Sequence, residues 1–432
     1  MSLSKHKWLL LSIYIPTVMF SFGQGLLVPI LPLYAAEYGG SYSLAGLVVA
    51  AGWIGTMIGD VPVGMLLRKI GYKNAMIIGS ALFGGATIAL AFAGTPFELV
   101  ALRIVAGIGI AFYQISRHTF VAHQVPPDIR GRAIAVFGGI NRVGHFIGPL
   151  VGGFVAAFYG LAAAIMVAGF VVLGIIVLAI LLVREPASPD SESGKKALDF
   201  GVLKEVVQHN PKELAAGGLA QVFAQMIRAG RQIVIPLYGA YAIGLDPAQV
   251  GQVVSASHFV EMFLFIPAGI IMDRWGRKAA AIPSFTIMGG AMLLVPFTDS
   301  YLSLMIVASL IGIGQGIGSG TMMTLGADLA PPGKTGEFLG IWRLIGDSGH
   351  AVAPMAIGVV ADIIGLYLTA GIVGGIGFMS AGTIGVFVRE TRWDSEEEGP
   401  AAESEEAEDS DEADESESTQ SRDRSPQQEL RD

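Results

Sequence analysis

Eleven side chains that carry a charge or a titratable ring fall inside stretches that are otherwise apolar. Glu261, Asp347 and Asp60 are carboxyls, Arg103, Arg142, Arg228, Arg231 and Arg343 are guanidinium cations, and His145, His258 and His350 are imidazoles. This set suits proton exchange and ion pairing. Burial favours the neutral form of a carboxyl and an approaching cation favours the charged form. A Glu that a mobile Arg can approach or leave is therefore a proton switch. Glu261 with Arg142 is the first choice for such a pair, and Asp347 with Arg343, four residues earlier, is the second. His258 stands one turn from Glu261, on nearly the same helix face. Asn141, Gln221 and Gln225 add uncharged hydrogen-bonding groups beside these residues. Covalent chemistry has no support. The chain lacks cysteine, an H-E-x-x-H pair, a G-x-S-x-G elbow and the G-x-x-x-x-G-K-[ST] loop that an ATP-driven pump would need. No cofactor and no metal site is expected.

The elements that hold these groups must be membrane spans. The chain has 432 residues, 52% of them hydrophobic and only 15% charged. A soluble domain carries about 25% charged residues. Apolar runs long enough to cross a bilayer recur at 8–36, 43–67, 74–94, 98–122, 134–158, 162–183, 213–242, 249–272, 279–297, 301–326, 338–362 and 367–388. The opening run reads as the first span, since no small-residue cleavage site follows it. Alternate connections hold the basic residues Arg68, Lys69, Lys73, Arg130, Arg132, Lys195, Lys196, Lys204, Lys212, Arg274, Arg277, Lys278 and Lys334, while the others hold Glu37, Asp246 and Asp299. This bias places both termini in the cytoplasm.

Depth follows from helical rise. Glu261, twelve residues before Asp273, lies about 18 Å into the membrane, and Arg142 and Asp347, ten residues past Arg132 and Glu337, lie about 15 Å deep. Arg103 belongs to the outer half, and Asp60 lies nearer the cytoplasm. The embedded cations outnumber the embedded acids, which favours an anionic or neutral solute over a lipophilic cation.

The two groups of six runs repeat each other. An offset of 205 relates Gly64 to Gly269, Gly71 to Gly276, Lys73 to Lys278, Gly107 and Gly109 to Gly312 and Gly314, Gly144-His145 to Gly349-His350, Pro149 to Pro354 and Gly153 to Gly358. Internal repeats of this kind build many secondary transporters, with the site between the halves near the midplane. The segment 390–432 is different. From Trp393 onward it holds 17 Asp or Glu against 3 Arg, and such a composition predicts a disordered acidic tail.

Three motifs carry a resemblance. Gly269, Asp273, Arg274, Gly276, Arg277 and Lys278 fit G-x-x-x-D-R-x-G-R-K throughout, and the first-half copy has Gly64, Arg68, Gly71 and Lys73, with Arg in place of Asp. This resembles the loop signature of the major facilitator superfamily. Gly144, Gly148, Pro149, Gly152 and Gly153 fit G-x-x-x-G-P-x-x-G-G, similar to the signature of the superfamily's proton-coupled antiporters. Arg103, Gly107 and Gly109 resemble its R-x-x-x-G-x-G motif. The second-half relic from Gly349 to Gly358 reads as structural.

The resemblance implies an all-α membrane protein of twelve helices in two pseudo-symmetric six-helix bundles, 1–183 and 213–389, joined by a cytoplasmic linker, 184–212. It implies that the loop charges gate the cytoplasmic side. Because Arg68 replaces the acid, a charge-exchanged latch is expected, Arg68 with Glu337 and Asp273 with Arg132. The expected activity is proton-coupled export of a small organic solute by alternating access. Proton-coupled uptake of an organic anion or nutrient is the alternative, and a membrane sensor without transport is a third reading. Arg103, Arg142, Asp60, Asp347, His258 and Glu261 are the candidates for proton coupling. Arg228, Arg231, Gln225, Arg343, Asn141 and His145 are the candidates for lining the substrate cavity. The expected partners are the solute, protons and the lipid of the cell membrane, with no nucleic acid and no second subunit.

Overall fold

The computed structural model describes residues 10–124, 127–183, 211–331 and 335–391, apart from the side chains of 10–11, 68, 121–124, 127–136, 212–213 and 336–337. A bilayer offers backbone amides no partner, so a spanning chain closes its own hydrogen bonds. Every regular element among the described residues is a helix.

Helix α1 is Ile15–Gly39. The helix Tyr42–Leu90 bends at Gly71 into α2 (42–70) and α3 (72–90). Pro96–Gln124 is α4, Pro127–Tyr159 is α5 and Leu161–Leu182 is α6. The second six begin with α7, Pro211–Leu237, α8, Pro247–Trp275, and α9, Arg277–Leu294. The span Tyr301–Asp328, α10, is unwound over 318–320. The helix Thr335–Phe387 bends at Gly365 into α11 (335–364) and α12 (366–387). Each of the twelve predicted runs overlaps one of these arms.

Nine helices among the described residues are long and apolar enough to cross a membrane, the last of them, Phe338–Phe387, holding both α11 and α12. The two long helices outside that set are α5 and α7. They carry Asn141, Arg142 and His145, and Gln221, Gln225, Arg228, Arg231 and Gln232, and these polar residues lower the mean hydropathy of both.

The repeat is visible in the backbone. Gly71 (φ 77°, ψ 169°) and Gly276 (φ 94°, ψ 170°) make the same one-residue reversal, as do Gly160 (φ 89°, ψ 161°) and Gly365 (φ 81°, ψ 163°). Each pair is 205 residues apart, in a region of backbone space that only glycine occupies readily. The tight turns expected at Gly71 and Gly276 are therefore present. Beside them Lys73 Nζ donates to the Ile180 carbonyl at 2.9 Å, and Lys278 Nζ donates to the Gly385 carbonyl at 3.1 Å. Again the two contacts differ by 205, and each sets a cation at the C-terminal end of a helix, where the helix dipole favours it. Within each half the same logic sets close helix approaches. A Cβ at Gly107 would overlap the Gly52 carbonyl on α2, and one at Gly312 would overlap the Ser257 carbonyl on α8.

The halves meet at the end that carries Gly40 and Gly244. A Cβ at Gly46 would strike the Pro354 carbonyl, and one at Gly251 the Pro149 carbonyl. A Cβ at Gly358 would strike the Tyr42 carbonyl, and one at Gly153 would lie 2.5 Å from the Pro247 carbonyl. These contacts are also a 205-related set, so the second-half relic makes the same inter-half contact as the first-half motif. One feature is unmatched. Asp362 accepts from the backbone N–H groups of Tyr42 (2.8 Å) and Ser43 (2.9 Å) and from the Ser43 hydroxyl. A carboxylate thus sits at the N-terminus of α2, where the dipole is positive. Toward the Gly71 end, Gly64, Gly139, Gly269 and Gly340 have nothing within 4 Å of a built Cβ. Among the described residues, the close glycine contacts between the halves gather at the Gly40 end.

Two outcomes follow. Gly107→Val and Gly312→Val should each destabilise the protein by about 1–3 kcal/mol through overpacking, read as a lower midpoint of thermal unfolding in detergent. Gly85→Val and Gly375→Val, which meet open space, should leave the midpoint in place; four equal midpoints would contradict the packing. For the seal, Asp362→Ala removes three accepted hydrogen bonds. In this cysteine-free chain it should raise severalfold the rate at which a membrane-impermeant thiol reagent, added from the Gly40 side, labels Leu31→Cys. An unchanged rate would show that Asp362 does not hold that end shut.

Candidate functional site

Between the halves lies a cavity of about 270 Å³, walled by α1, α2, α3, α4, α5, α7, α8 and α11. Its volume is near the lower edge of the roughly 300–1,000 Å³ typical of small-molecule sites. Two ring pairs cross it from half to half. His145 on α5 faces His258 on α8 with centroids 6.1 Å apart, and His350 on α11 lies over Trp53 on α2 at 4.4 Å. His145 and His350 are 205 residues apart, and so are Trp53 and His258. The repeat therefore builds both pairs from equivalent positions.

The charges break that symmetry. In the second half, Arg231 Nη2 on α7 donates to Glu261 Oε2 on α8 at 3.1 Å, and His258 Nδ1 lies 3.2 Å from the same oxygen. Arg231 Nη1 also reaches the Ser257 hydroxyl at 3.3 Å. The equivalents of Glu261 and Ser257 in the first half are Thr56 and Gly52, which offer no acid. The expected partner of Glu261 was Arg142, and here the structure corrects the sequence. Arg142 binds the Ser319 hydroxyl and stacks over Phe265, with its guanidinium carbon 4.1 Å from the ring centroid. Arg231 comes from the adjacent α7 and reaches the carboxylate directly, so Arg142 is left to span the halves. Cation–π contacts of this kind contribute about 0.5–2 kcal/mol depending on desolvation.

Helix α10 is unwound at 318–320, and two arginines converge there. Arg228 Nη2 donates to the Gly318 carbonyl at 3.0 Å, its Nη1 reaches Gln225 at 3.4 Å, and Arg142 meets Ser319. A helix broken at mid-membrane frees carbonyls to accept from cations, a device that recurs in transporters.

Arg103 is 8% exposed and borders the cavity beside Gly52. It lies in the half of α4 toward the Gly40 end, as expected, and its side chain turns inward. The glycines of its motif bring α4 against α2 and α3, since a Cβ on Gly107 would fall 2.9 Å from Gly55 Cα and one on Gly109 would fall 2.8 Å from the Gly79 carbonyl.

In the antiporter-type motif, Gly144, Gly148 and Gly152 pack onto α1 at Ser21, Gly25 and Leu26, while Pro149 and Gly153 face α8. Small residues four apart permit such close approach. Asn141 is tied to α1 by the Ser21 hydroxyl.

Asp60 on α2 has Arg343 and Asp347 of α11 as its charged neighbours across the halves, so these three candidates form a second cluster nearer the Gly71 end. The loop motif is only partly described. Arg277 Nε pairs with Asp328 at 2.6 Å inside the second half, and Asp273 and Arg274 are exposed. The side chains of Arg68, Arg132 and Glu337, and with them the expected exchanged latch, lie outside the described residues, as do the linker bases and the acidic tail. Among the described residues, Gly64 and Gly269 make no close helix approach. Trp53, Gln24, Gln114 and Gln232 line the cavity without having been singled out from the sequence. A Trp or Gln isolated in an apolar run is the signal that could have found them.

The fold and cavity can now be set beside known proteins. The family model described as Major Facilitator Superfamily matches residues 13–227 and 217–423. An uncharacterised MFS-type transporter of Methanocaldococcus jannaschii is 25% identical over 357 residues, 82% of this chain and 91% of that protein. The staphylopine export protein of Staphylococcus aureus is 21% identical over 370 residues, 84% of this chain and 93% of that protein. Among solved structures, a nucleoside transporter superposes with a TM-score of 0.74 at 12% identity, covering 88% of this chain and 100% of that one. The nucleoside transporter thus shares the fold of this chain. The chain belongs to the Major Facilitator Superfamily and is a multi-pass membrane transporter.

Proposed function

We propose that this transporter exports a small organic solute across the cell membrane in exchange for protons, by alternating access. The bundles 1–183 and 213–389 rock about the cavity, joined by 184–212, with the Gly71 end and both termini in the cytoplasm and the acidic segment 390–432 as a tail. One chain is the working unit. The observation that carries this reading is Glu261 held by Arg231 and by His258, a residue of the cavity wall. Arg142 and Arg228 also act on that carboxylate electrostatically, and His145 faces it across the cavity.

Protonating Glu261 cancels the charge that anchors Arg231 and His258 and releases both to the cavity. Solute and proton then compete for one group of side chains, which is what exchange requires. Each proton moved down a one-unit pH difference supplies about 1.4 kcal/mol, enough for a tenfold solute gradient. Asp60, Arg343 and Asp347 are proposed as the relay between this site and the cytoplasm, because ionisable groups inside a bilayer mark pathways.

Export is favoured over uptake by the Gly144–Gly153 motif and by the export activity named for the staphylococcal relative. The basic connections at the Gly71 end support the orientation.

Everted vesicles carrying the protein, acidified inside and offered a panel of small organic solutes, should accumulate substrate until a protonophore is added. Glu261→Gln should cut that gradient-driven flux by tenfold or more and flatten its pH dependence, while solute–solute exchange without a gradient persists. Uptake only into right-side-out vesicles would overturn the direction. A Glu261→Gln variant with the parent's pH profile would overturn the coupling site.

A further inference from the structure

Arg103 differs from the other arginines around the cavity. Arg231 has Glu261, Arg228 has the Gly318 carbonyl, and Arg142 has Ser319 and Phe265. The Arg103 Nε is buried without a partner, as are those of Arg142, Arg228 and Arg231, but Arg103 alone of the four has no hydrogen bond or ion pair through its terminal nitrogens, and no charged group among the described residues acts on it. Its counterpart in the second half is Ala308, so nothing in the repeat demands a cation there. A guanidinium removed from water with no acceptor is costly unless something compensates it.

The surroundings are shaped for a compensating group. A Cβ at Gly52 would lie 2.5 Å from Arg103 Nη2 and 3.2 Å from Cζ. Glycine there leaves the guanidinium lying across α2, where its counterpart Ser257 instead binds Arg231. The cavity wall beside Arg103 holds no Asp or Glu. It offers Gln24, Gln114 and Gln232 as neutral hydrogen-bonding groups, with Trp53, Phe83 and Leu27 as apolar surface. Glu261, the carboxylate bound to the wall residue His258, is already taken by Arg231 and His258.

We infer that the cavity binds a small organic monoanion, with its carboxylate on the Arg103 guanidinium over Gly52 and its apolar body against Trp53 and Leu27. Arg presents paired N–H donors that match a carboxylate, and one uncompensated cation fits one negative charge. An ammonium group would meet Arg103 and three imidazoles with no free acid. This inference rests on the transport reading for its meaning, since the bound anion is the cargo, but the binding itself requires no proton gradient.

The test uses the purified full chain in detergent and two size-matched probe sets, benzoate, benzylamine and benzyl alcohol, and hexanoate, hexylamine and hexanol. Because the chain has five tryptophans, the quenching or shift of fluorescence that Trp53→Phe removes reports on the cavity, and the thermal midpoint gives a second readout. The carboxylate of at least one set should bind saturably and at least tenfold more tightly than its amine and alcohol. Arg103→Gln should weaken carboxylate binding tenfold or more and leave alcohol binding unchanged, and Arg103→Lys should restore part of it. Gly52→Ala, which fills the space beside Nη2 and keeps the cation, should also weaken the carboxylate and guards against a misfolded Arg103 variant. Equal binding of amine and carboxylate, carboxylate binding that survives both Arg103→Gln and Gly52→Ala, or no saturable binding of either carboxylate would overturn the inference. A gradient-driven flux lost while carboxylate binding persists would instead count against the proton-exchange reading alone.

Discussion

A hydrocarbon interior forms no hydrogen bonds, and most of this structure follows from that. The backbone answers by coiling into helices whose ladders are closed, and the side chains answer by being apolar wherever they face lipid. Most charged groups deep in the helices are met by another group, and Arg103 is the exception. Glu261 is met by Arg231 and His258, Arg142 by Ser319 and Phe265, and Arg228 by a carbonyl released where α10 unwinds. Asn141 and His145 of α5 and Gln232 of α7 reach the cavity.

Close helix approach is the second consequence. Helices in lipid gain little from hydrophobic burial against each other, so contact depends on packing, and glycine sets how near two backbones come. Gly107 and Gly312 do this within the halves, while Gly46, Gly153, Gly251 and Gly358 do it between them. The inter-half contacts gather at the Gly40 end. Close glycine contacts gathered at one end suit a pair of bundles that rock, and a seal made of small contacts plus one carboxylate on a helix N-terminus can be broken and remade.

Much of this was legible in the sequence. Hydropathy located all twelve arms, because each must be about 20 residues of mostly apolar chain. The 205-residue offset anticipated the paired reversals at Gly71 and Gly276, since equivalent sequence in an equivalent setting takes the same backbone. The polar contacts were less legible. Helical rise gives the depth of Glu261 and Arg142 but not the rotation of α5 relative to α7 and α8, and that rotation decides that Arg231 holds the carboxylate. Trp53 and Gln232 escaped notice because an uncharged residue in an apolar run looks like lipid-facing chain. The solitude of Arg103 has no sequence signature at all, since it is defined by what the helices around it fail to offer.

The account stands or falls on two bundles that exchange an opening at one end for an opening at the other. The cysteine-free chain allows spin labels at Met65→Cys and Leu344→Cys near the Gly71 end, and in a second protein at Glu37→Cys and Ile363→Cys near the Gly40 end; all four positions are exposed. Distance distributions from pulsed electron resonance in lipid, recorded across a pH series, should show two populations at each end. As one end shortens the other should lengthen, in step. A single invariant distance at both ends, or two ends that open and close together, would contradict alternating access.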